Sequence, residues 1–184
     1  LLNKYNAILL SGHNHFCETI QIADNMREYI FPSVCGASWY VQICCDGSPA
    51  GYGIFEVNGD DIKHYKKFIG HPSDFQFKVY NKEVYDNEGS PAILVNLFDW
   101  NDDWTVESTV NGKAAKVKHI TGKDPYYLHE MYEKGYLGKH NAYIPYNTDH
   151  LFCITPSNSD SEVTIIVKNK ITGYEKTVKT KIGF

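Results

Sequence analysis

The chain has 184 residues, of which 42% are hydrophobic and 22% are charged, as in an ordinary globular protein. This length suffices for one domain of typical size or for two small ones. The formal net charge is -4 and no segment is rich in Arg, which argues against a nucleic-acid partner. No apolar run approaches the roughly 20 residues that a membrane-spanning helix requires, so we expect no membrane span.

The first predicted element is a short apolar strand, Asn6 to Ser11, which leads into Gly12 and two histidines, His13 and His15. Residues two apart on an extended chain point to the same side, so we expect both imidazoles to face one ligand site. Neutral imidazole binds zinc, iron, nickel and copper, and it binds manganese in mixed sites with carboxylates. The pattern therefore predicts a metal site, and a pair of surface or turn histidines is the alternative.

The following segment is aromatic around Trp39 and then reaches a dense turn cluster, Asp46 to Gly51. Asp46, Gly47 and Trp39 are candidates for lining a substrate pocket beside the metal site. The alternatives are a plain turn for the first two residues and a core or interface position for the tryptophan. Further along, Asn58-Gly59 between two strand-like segments predicts a β-hairpin, because these residues adopt the positive φ angles of tight hairpin turns.

The turn at Gly70 to Asp74 is predicted to separate two domains, residues 1–72 and residues 73–184. The second domain has several short strands with turn signals between them, which is typical of a β-sandwich. The predicted strands are Phe75 to Tyr80, Ala92 to Phe98, Thr105 to Val110, Lys113 to Ile120, Leu151 to Thr155, Glu162 to Lys168, and one near Tyr174 to Lys179. Only Asp124 to Lys134 is predicted to be helical, with Asp124 as its cap. We therefore expect a mainly β protein of the α+β class with one short helix.

The five cysteines include no Cys-x-x-Cys pair, so the sequence does not predict a structural zinc site. Buried free thiols are the favoured interpretation, with one disulfide or a metal-binding role as alternatives. These cysteines are Cys17, Cys35, Cys44, Cys45 and Cys153.

The segment Trp100 to Trp104 places two tryptophans around an Asn and two aspartates. Aromatic faces can stack on sugars, and paired aspartates can bind calcium. No loop here supplies a complete calcium ligand set, so we interpret the segment as a β-turn between two anchoring tryptophans. A non-enzymatic β-sandwich module that binds a glycan or a protein remains an alternative function for the whole chain.

Three segments taken together resemble the final part of the calcineurin-like metallophosphoesterases: Leu10 to His15, Val34 to Trp39, and Asp46 to Gly53. The later segments resemble the dedicated C-terminal β-domain of a bacterial subgroup; they are Phe75 to Tyr80, Ile93 to Asn96 and Trp100 to Trp104. The resemblance implies the truncated end of an α/β metallophosphoesterase sandwich followed by a small β-sandwich domain. It also suggests a bacterial envelope location for the parent protein.

The resemblance implies that His13 binds one metal of a dinuclear Mn, Fe or Zn centre and that His15 binds the other. The other ligand motifs of the family, Asp-x-His, Gly-Asp-x-x-Asp, Gly-Asn-His and one further His upstream, do not occur in this chain. We therefore expect the parent to hydrolyse a phosphate monoester or diester. We expect the chain alone to be inactive, with no catalytic residue of its own and no bound metal.

The chain begins without an initiator Met or a signal-peptide pattern, which we interpret as the back end of a longer protein. The strands between Ala7 and Lys67 would then lack their usual neighbours. Unpaired strand edges and exposed apolar surface favour association. We therefore expect these strands to pack on the β-sandwich or to form a homodimer.

Overall fold

The computed structural model describes residues 4–86, 88–135 and 144–183. These ranges contain thirteen strands and one helix, which confirms a mainly β fold. No helix in the described ranges is long and apolar enough to cross a membrane.

The N-terminal sheet has three strands: β1 (Ala7–Ser11), β2 (Glu18–Ala23) and β3 (Met26–Ile30). β3 lies in the middle, parallel to β1 and antiparallel to β2. The strand at β1 was predicted, whereas β2 was not. In β2 the exposed positions include Ile20 and Ile22, so its burial does not alternate as that of a half-buried strand does.

The predicted hairpin forms between β4 (Gly51–Asn58) and β5 (Asp61–Phe68), which pair along their whole length. Gly59 occupies the turn with φ 60°, the left-handed conformation that the Asn-Gly pattern predicted.

Two four-stranded sheets form the predicted β-sandwich, with strand orders β10-β11-β7-β6 and β13-β12-β8-β9. Alternate residues of their strands point inward and build one apolar core, which includes Ile93, Val95, Ile165 and Val167. The strand bounds are β6 (Phe77–Tyr80), β7 (Ile93–Leu97), β8 (Trp104–Val110), β9 (Lys113–Ala115), β10 (Lys118–Gly122), β11 (Thr148–Ile154), β12 (Val163–Asn169) and β13 (Glu175–Thr180).

The prediction of one strand from Lys113 to Ile120 is wrong. β9 pairs with β8 in one sheet, and β10 pairs with β11 in the other. Val117 lies between β9 and β10 and packs against the sandwich core. The chain thus passes from one sheet to the other at this point while an apolar residue still faces the core. The pattern of side chains along the sequence looks the same as that of one continuous strand and does not reveal the change.

The helix α1 (Pro125–Glu133) begins where it was predicted, because the side chain of Asp124 accepts a hydrogen bond from the Tyr127 amide at 2.8 Å. Its buried side chains, Tyr127 and Met131, pack against Ala37 and Val41. The helix therefore fixes the loop that follows β3.

The tryptophan segment is a β-turn with inward-facing anchors, as interpreted from the sequence. Trp104 is 6% exposed, and the Trp100 ring packs edge-on against Phe152 at 4.9 Å between centroids. The Asp103 carboxylate is held by Arg27 at 2.5 Å and by Lys170 at 3.3 Å, so it is already paired with two cations.

All five cysteines are free thiols, and four of them are buried. Burial raises the pKa of Cys17 and Cys45, so these thiols are protonated and unreactive at neutral pH.

A buried lysine joins the N-terminal sheet, the β4–β5 hairpin and the sandwich. Lys66 on β5 is 1% exposed, and its Nζ donates to Asp99 Oδ1 at 2.6 Å. The same Nζ donates to the carbonyls of Glu18 and Ile30, both at 3.2 Å. Thr19 Oγ1 donates to the same Asp99 oxygen at 2.7 Å. Burial opposes the ammonium charge, but the adjacent carboxylate outweighs it, and the pKa of Lys66 is raised.

Replacing this lysine should destabilise the protein strongly. In Lys66→Met the Asp99 carboxylate stays buried without its cation, so the free energy of unfolding should fall by about 3–5 kcal/mol in urea denaturation. Lys63→Met changes an exposed lysine of the same strand and should cost less than about 0.5 kcal/mol. The double variant Lys66→Met/Asp99→Leu should recover part of the loss. A loss below about 1 kcal/mol in Lys66→Met would contradict this role.

Self-association through the N-terminal sheet remains a prediction. β1 is at the edge of the sheet, and the side chains of Ile8 and Leu10 are 40% and 58% exposed. Light scattering should show a dimer at high protein concentration, and Leu10→Lys should shift it to monomer. Val57→Lys alters a similarly exposed residue of β4 and should leave the dimer intact. A monomer at every concentration would refute the prediction.

Candidate functional site

The two histidines lie in a bend directly after β1. His13 has φ 80° and His15 has φ 56°, so both adopt the left-handed conformation. The backbone is therefore not extended here, so the reason for expecting both rings on one side does not hold, and their common direction stays a prediction. The positive φ angles belong to the two histidines and not to Gly12. A Cβ added at Gly12 would meet no atom within 4 Å. The strand ends because the backbone turns here.

The ring of His15 is held by the loop after β3. His15 Nδ1 lies 2.6 Å from the carbonyl oxygen of Gly36. When Nδ1 carries the proton and donates it to this carbonyl, the lone pair of Nε2 remains available as a ligand. A backbone carbonyl on the second ring nitrogen is the usual support of a metal-binding histidine. His15 thus fits a metal-ligand role, while His13 is exposed at the surface of the bend.

Backbone strain is concentrated around these two rings. In the described ranges, six residues other than glycine have positive φ, and four of them are His13, His15, Ser38 and Trp39. Such conformations cost about 1–3 kcal/mol each and occur preferentially at functional sites. Gly36, which holds the His15 ring, has φ 55° and no room for a side chain beside the Val41 backbone. The bend and the loop together form the candidate site.

The backbone that follows the His15 side chain is fixed to the turn cluster. The Cys45 amide donates to the His15 carbonyl at 2.9 Å, and the Cys17 amide donates to Asp46 Oδ2 at 2.8 Å. Asp46 also accepts from the amide and the hydroxyl of Ser48, at 3.0 and 2.7 Å. The turn cluster therefore supports the histidine bend from beneath.

The structure does not gather the three predicted pocket residues in one pocket. Trp39 is 81% exposed and lines neither of the two cavities described below. Gly47 is buried, and an added Cβ would collide with the carboxyl group of Asp124. Asp46 is fully buried and lines a small cavity. Of the three, only Asp46 lines one of these cavities.

A buried polar network beneath the turn cluster was missed by the sequence reasoning. Asn96 Nδ2 donates to the Asp46 carbonyl at 3.0 Å and to Asp124 Oδ2 at 2.8 Å. The Tyr80 hydroxyl donates to the same Asp124 oxygen at 2.6 Å. The one available signal was an asparagine within the apolar run of β7. This network connects the turn cluster to the sandwich and to the cap of α1.

A cavity of about 210 Å³ lies between the histidine bend and β11, and Asp46 and His150 line it. His150 is 2% exposed, and its Nδ1 lies 3.7 Å from Asp46 Oδ2 without a hydrogen-bond partner. Burial lowers the pKa of His150 to about 3 and raises the pKa of Asp46 to about 6. At neutral pH the imidazole is therefore uncharged and the carboxylate is mostly ionised.

A larger cavity of about 690 Å³ lies between the β4–β5 hairpin and the sandwich. Its lining includes Lys66, Asp99, Trp104 and Tyr174. The charged groups among these are paired with each other, and the two rings pack edge-on at 5.3 Å. The Trp104 side chain is also largely buried, at 6% exposure.

No group of three or more His, Cys, Asp or Glu side chains is positioned to hold a metal ion within residues 4–86, 88–135 and 144–183. The two histidines of the bend are thus candidate ligands that belong to no such group in the described part of the chain. A metal held here would need ligands beyond those two imidazoles.

Residues 28–173 match the family model for the C terminal of calcineurin-like phosphoesterase. The chain belongs to this family. The match confirms the resemblance found in the sequence and runs without interruption across the predicted boundary at residues 72 and 73, which stays a prediction. It begins after the two histidines, so it does not assign their role. Comparison of the chain with curated proteins and with solved structures gives no match.

The buried pair should produce opposite pH effects on stability. The unfolded chain protonates His150 near its ordinary pKa of 6.5, whereas the folded chain does so near 3, so acidification through this range lowers the free energy of unfolding. The pKa of Asp46 is about 6 in the folded chain and about 3.8 in the unfolded chain. Acidification between these values therefore raises the free energy of unfolding.

Urea denaturation at about pH 7 and about pH 5 measures both effects. Relative to the unaltered chain, the loss of stability on acidification should be about 1.4 kcal/mol larger in Asp46→Asn and about 2 kcal/mol smaller in His150→Gln. The exposed residue Asp160 provides the control, and Asp160→Asn should change little. Shifts of the same sign in both variants would show that the two groups do not titrate as described.

Proposed function

We propose that the chain is the C-terminal part of a metal-dependent phosphoesterase and that His13 and His15 each contribute an imidazole to its dinuclear metal centre. The observation that carries this proposal is the contact of His15 Nδ1 with the Gly36 carbonyl, which would leave the Nε2 lone pair for a ligand, in a chain that belongs to the phosphoesterase family. Metal ions in such a centre polarise the phosphate ester and lower the pKa of a bound water.

The residues of this chain would act by positioning. The Gly36 carbonyl fixes the tautomer and the plane of the His15 ring, and the Cys45 amide fixes its backbone. Because a ligand must be held to within a fraction of an ångström, these contacts matter as much as the imidazole itself. His13 is exposed, so its ring can reach a metal bound mainly by groups outside the described part of the chain.

We also propose that the chain alone does not catalyse hydrolysis. The sequence lacks the acidic and Asn-His motifs that the family uses for its other ligands. Two imidazoles without a carboxylate can hold one divalent ion only weakly, since no negative charge offsets the charge of the metal. In this view the β-sandwich supports and covers the catalytic part and contributes no chemistry.

The structure does not favour the alternative of a glycan-binding module that uses Trp100 or Trp104. Trp104 is 6% exposed, and Trp100 packs against Phe152 and His119. A sugar needs an accessible aromatic face, which the buried Trp104 does not offer, and Trp100 is only partly exposed.

Metal binding tests the role of the bend directly. Calorimetric titration of the chain with zinc should detect one site with a Kd no tighter than about 10 µM, and both His13→Ala and His15→Ala should abolish it. His129→Ala removes an exposed histidine of α1 and should leave the binding unchanged. Zinc binding that is indifferent to both substitutions in the bend would refute the metal assignment.

Hydrolysis of p-nitrophenyl phosphate and bis(p-nitrophenyl) phosphate, with manganese or zinc added, tests the second proposal. The rate should equal that of the metal ion without protein. Robust turnover that His15→Ala removes would show that the chain is an enzyme by itself.

A further inference from the structure

The cavity of about 210 Å³ is acidic. Among the described residues, its lining includes three carboxylates, those of Glu18, Asp46 and Asp149, and no Lys or Arg. Burial, and next the negative charge of Asp149, raise the pKa of Glu18, so Glu18 lies within electrostatic range of Asp149. The charge of Lys66 opposes this rise, but its ammonium is already paired with Asp99. No cation among the described lining residues balances the three carboxylates.

An unpartnered nitrogen also lies at this cavity. The side chain of His150 is 2% exposed and lines the cavity, and its Nδ1 has no hydrogen-bond partner although Asp46 Oδ2 is 3.7 Å away. A buried polar atom without a partner costs about 1–3 kcal/mol. Because the carboxylates only accept hydrogen bonds and a neutral imidazole can accept one at Nδ1, the group that satisfies all of them is a donor.

Two aromatic rings complete the lining. Phe16 and Tyr146 stack with centroids 4.6 Å apart and an interplanar angle of 10°. Both rings border the cavity. Aromatic faces attract cations, and a compact ammonium group offers three donors and no acceptor. Shape, charge and hydrogen-bonding capacity thus agree on one class of ligand.

We propose that this cavity binds a primary ammonium group on a short apolar stem, with the nitrogen among Glu18, Asp149 and His150 and the stem against Phe16 and Tyr146. A volume of about 210 Å³ corresponds to roughly seven waters, which accommodates a small amine. A metal ion fits less well, since the described residues contain no cluster arranged to ligate one. The site does not depend on the metal role of His13 and His15.

The test is a titration of the isotope-labelled chain, monitored by the amide and imidazole NMR signals, with two probes at constant ionic strength. Ethanolammonium represents a small amino alcohol, and n-butylammonium represents a lysine side chain. Binding with a Kd of about 1–10 mM is expected for at least one probe, with the largest shifts at Cys17, Thr148 and His150. The tighter probe identifies the source of the ammonium group.

Charge-removing variants locate the binding. Glu18→Gln and Asp149→Asn should each weaken the tighter probe by about two- to fivefold, the range of a partly exposed ion pair. Glu175→Gln removes an exposed carboxylate of β13 that does not line the cavity, and the affinity should stay the same. Tetramethylammonium, which has a charge but no N–H donor, should bind more weakly than either probe.

Three results would overturn the proposal. One is the absence of shifts at the cavity up to about 50 mM of either probe, well beyond the expected Kd. Another is binding that both Glu18→Gln and Asp149→Asn leave unchanged, or tetramethylammonium binding as tight as that of the probes. The third is a combination of two observations. Zinc binds at this cavity and His13→Ala and His15→Ala do not affect that binding, while the chain shows no response to either ammonium probe.

Discussion

The structure depends on one buried charge pair between parts of the chain that are distant in sequence. Lys66 of the hairpin donates to Asp99 of the turn after β7, and to the carbonyls of Glu18 and Ile30 in the N-terminal sheet. A buried ammonium is tolerated only where every donor is used and a carboxylate balances the charge. Meeting this condition fixes the N-terminal sheet, the hairpin and the sandwich at one point. Apolar contacts have no preferred direction, so this pair helps to set how the three parts are positioned.

A second polar network supports the candidate site from below. Asp46, Asn96 and Asp124 connect the turn cluster, β7 and the cap of α1. Because the Cys17 amide donates to the Asp46 side chain, the same network holds the chain two residues beyond His15. The strained bend is therefore attached to the rigid sandwich and not to a free loop. A ligand-bearing turn needs this kind of support, since left-handed residues relax when their contacts are lost.

The two proposed sites are neighbours with different electrostatics. The bend presents imidazoles, one of which is oriented by a backbone carbonyl. The cavity beside it presents carboxylates and an unpartnered imidazole nitrogen. Phe16 directly follows His15 in the sequence, and its ring borders the cavity. This chain thus contains an element of the proposed metal centre, which lies before the matched residues, and a separate polar pocket.

The sequence by itself determined the features that depend on local patterns. Alternating apolar residues, the Asn-Gly turn and the Asp124 cap predicted the hairpin, most sandwich strands and α1, because each needs only neighbouring residues. The likeness to the phosphoesterases also came from the sequence alone. Only the tertiary structure decided the left-handed bend at His13 and His15, and the exchange of sheets near Val117. It also decided the burial of Lys66 and His150. These features arise where distant segments meet, and the partners that make a buried charge or a strained turn tolerable are not adjacent in sequence.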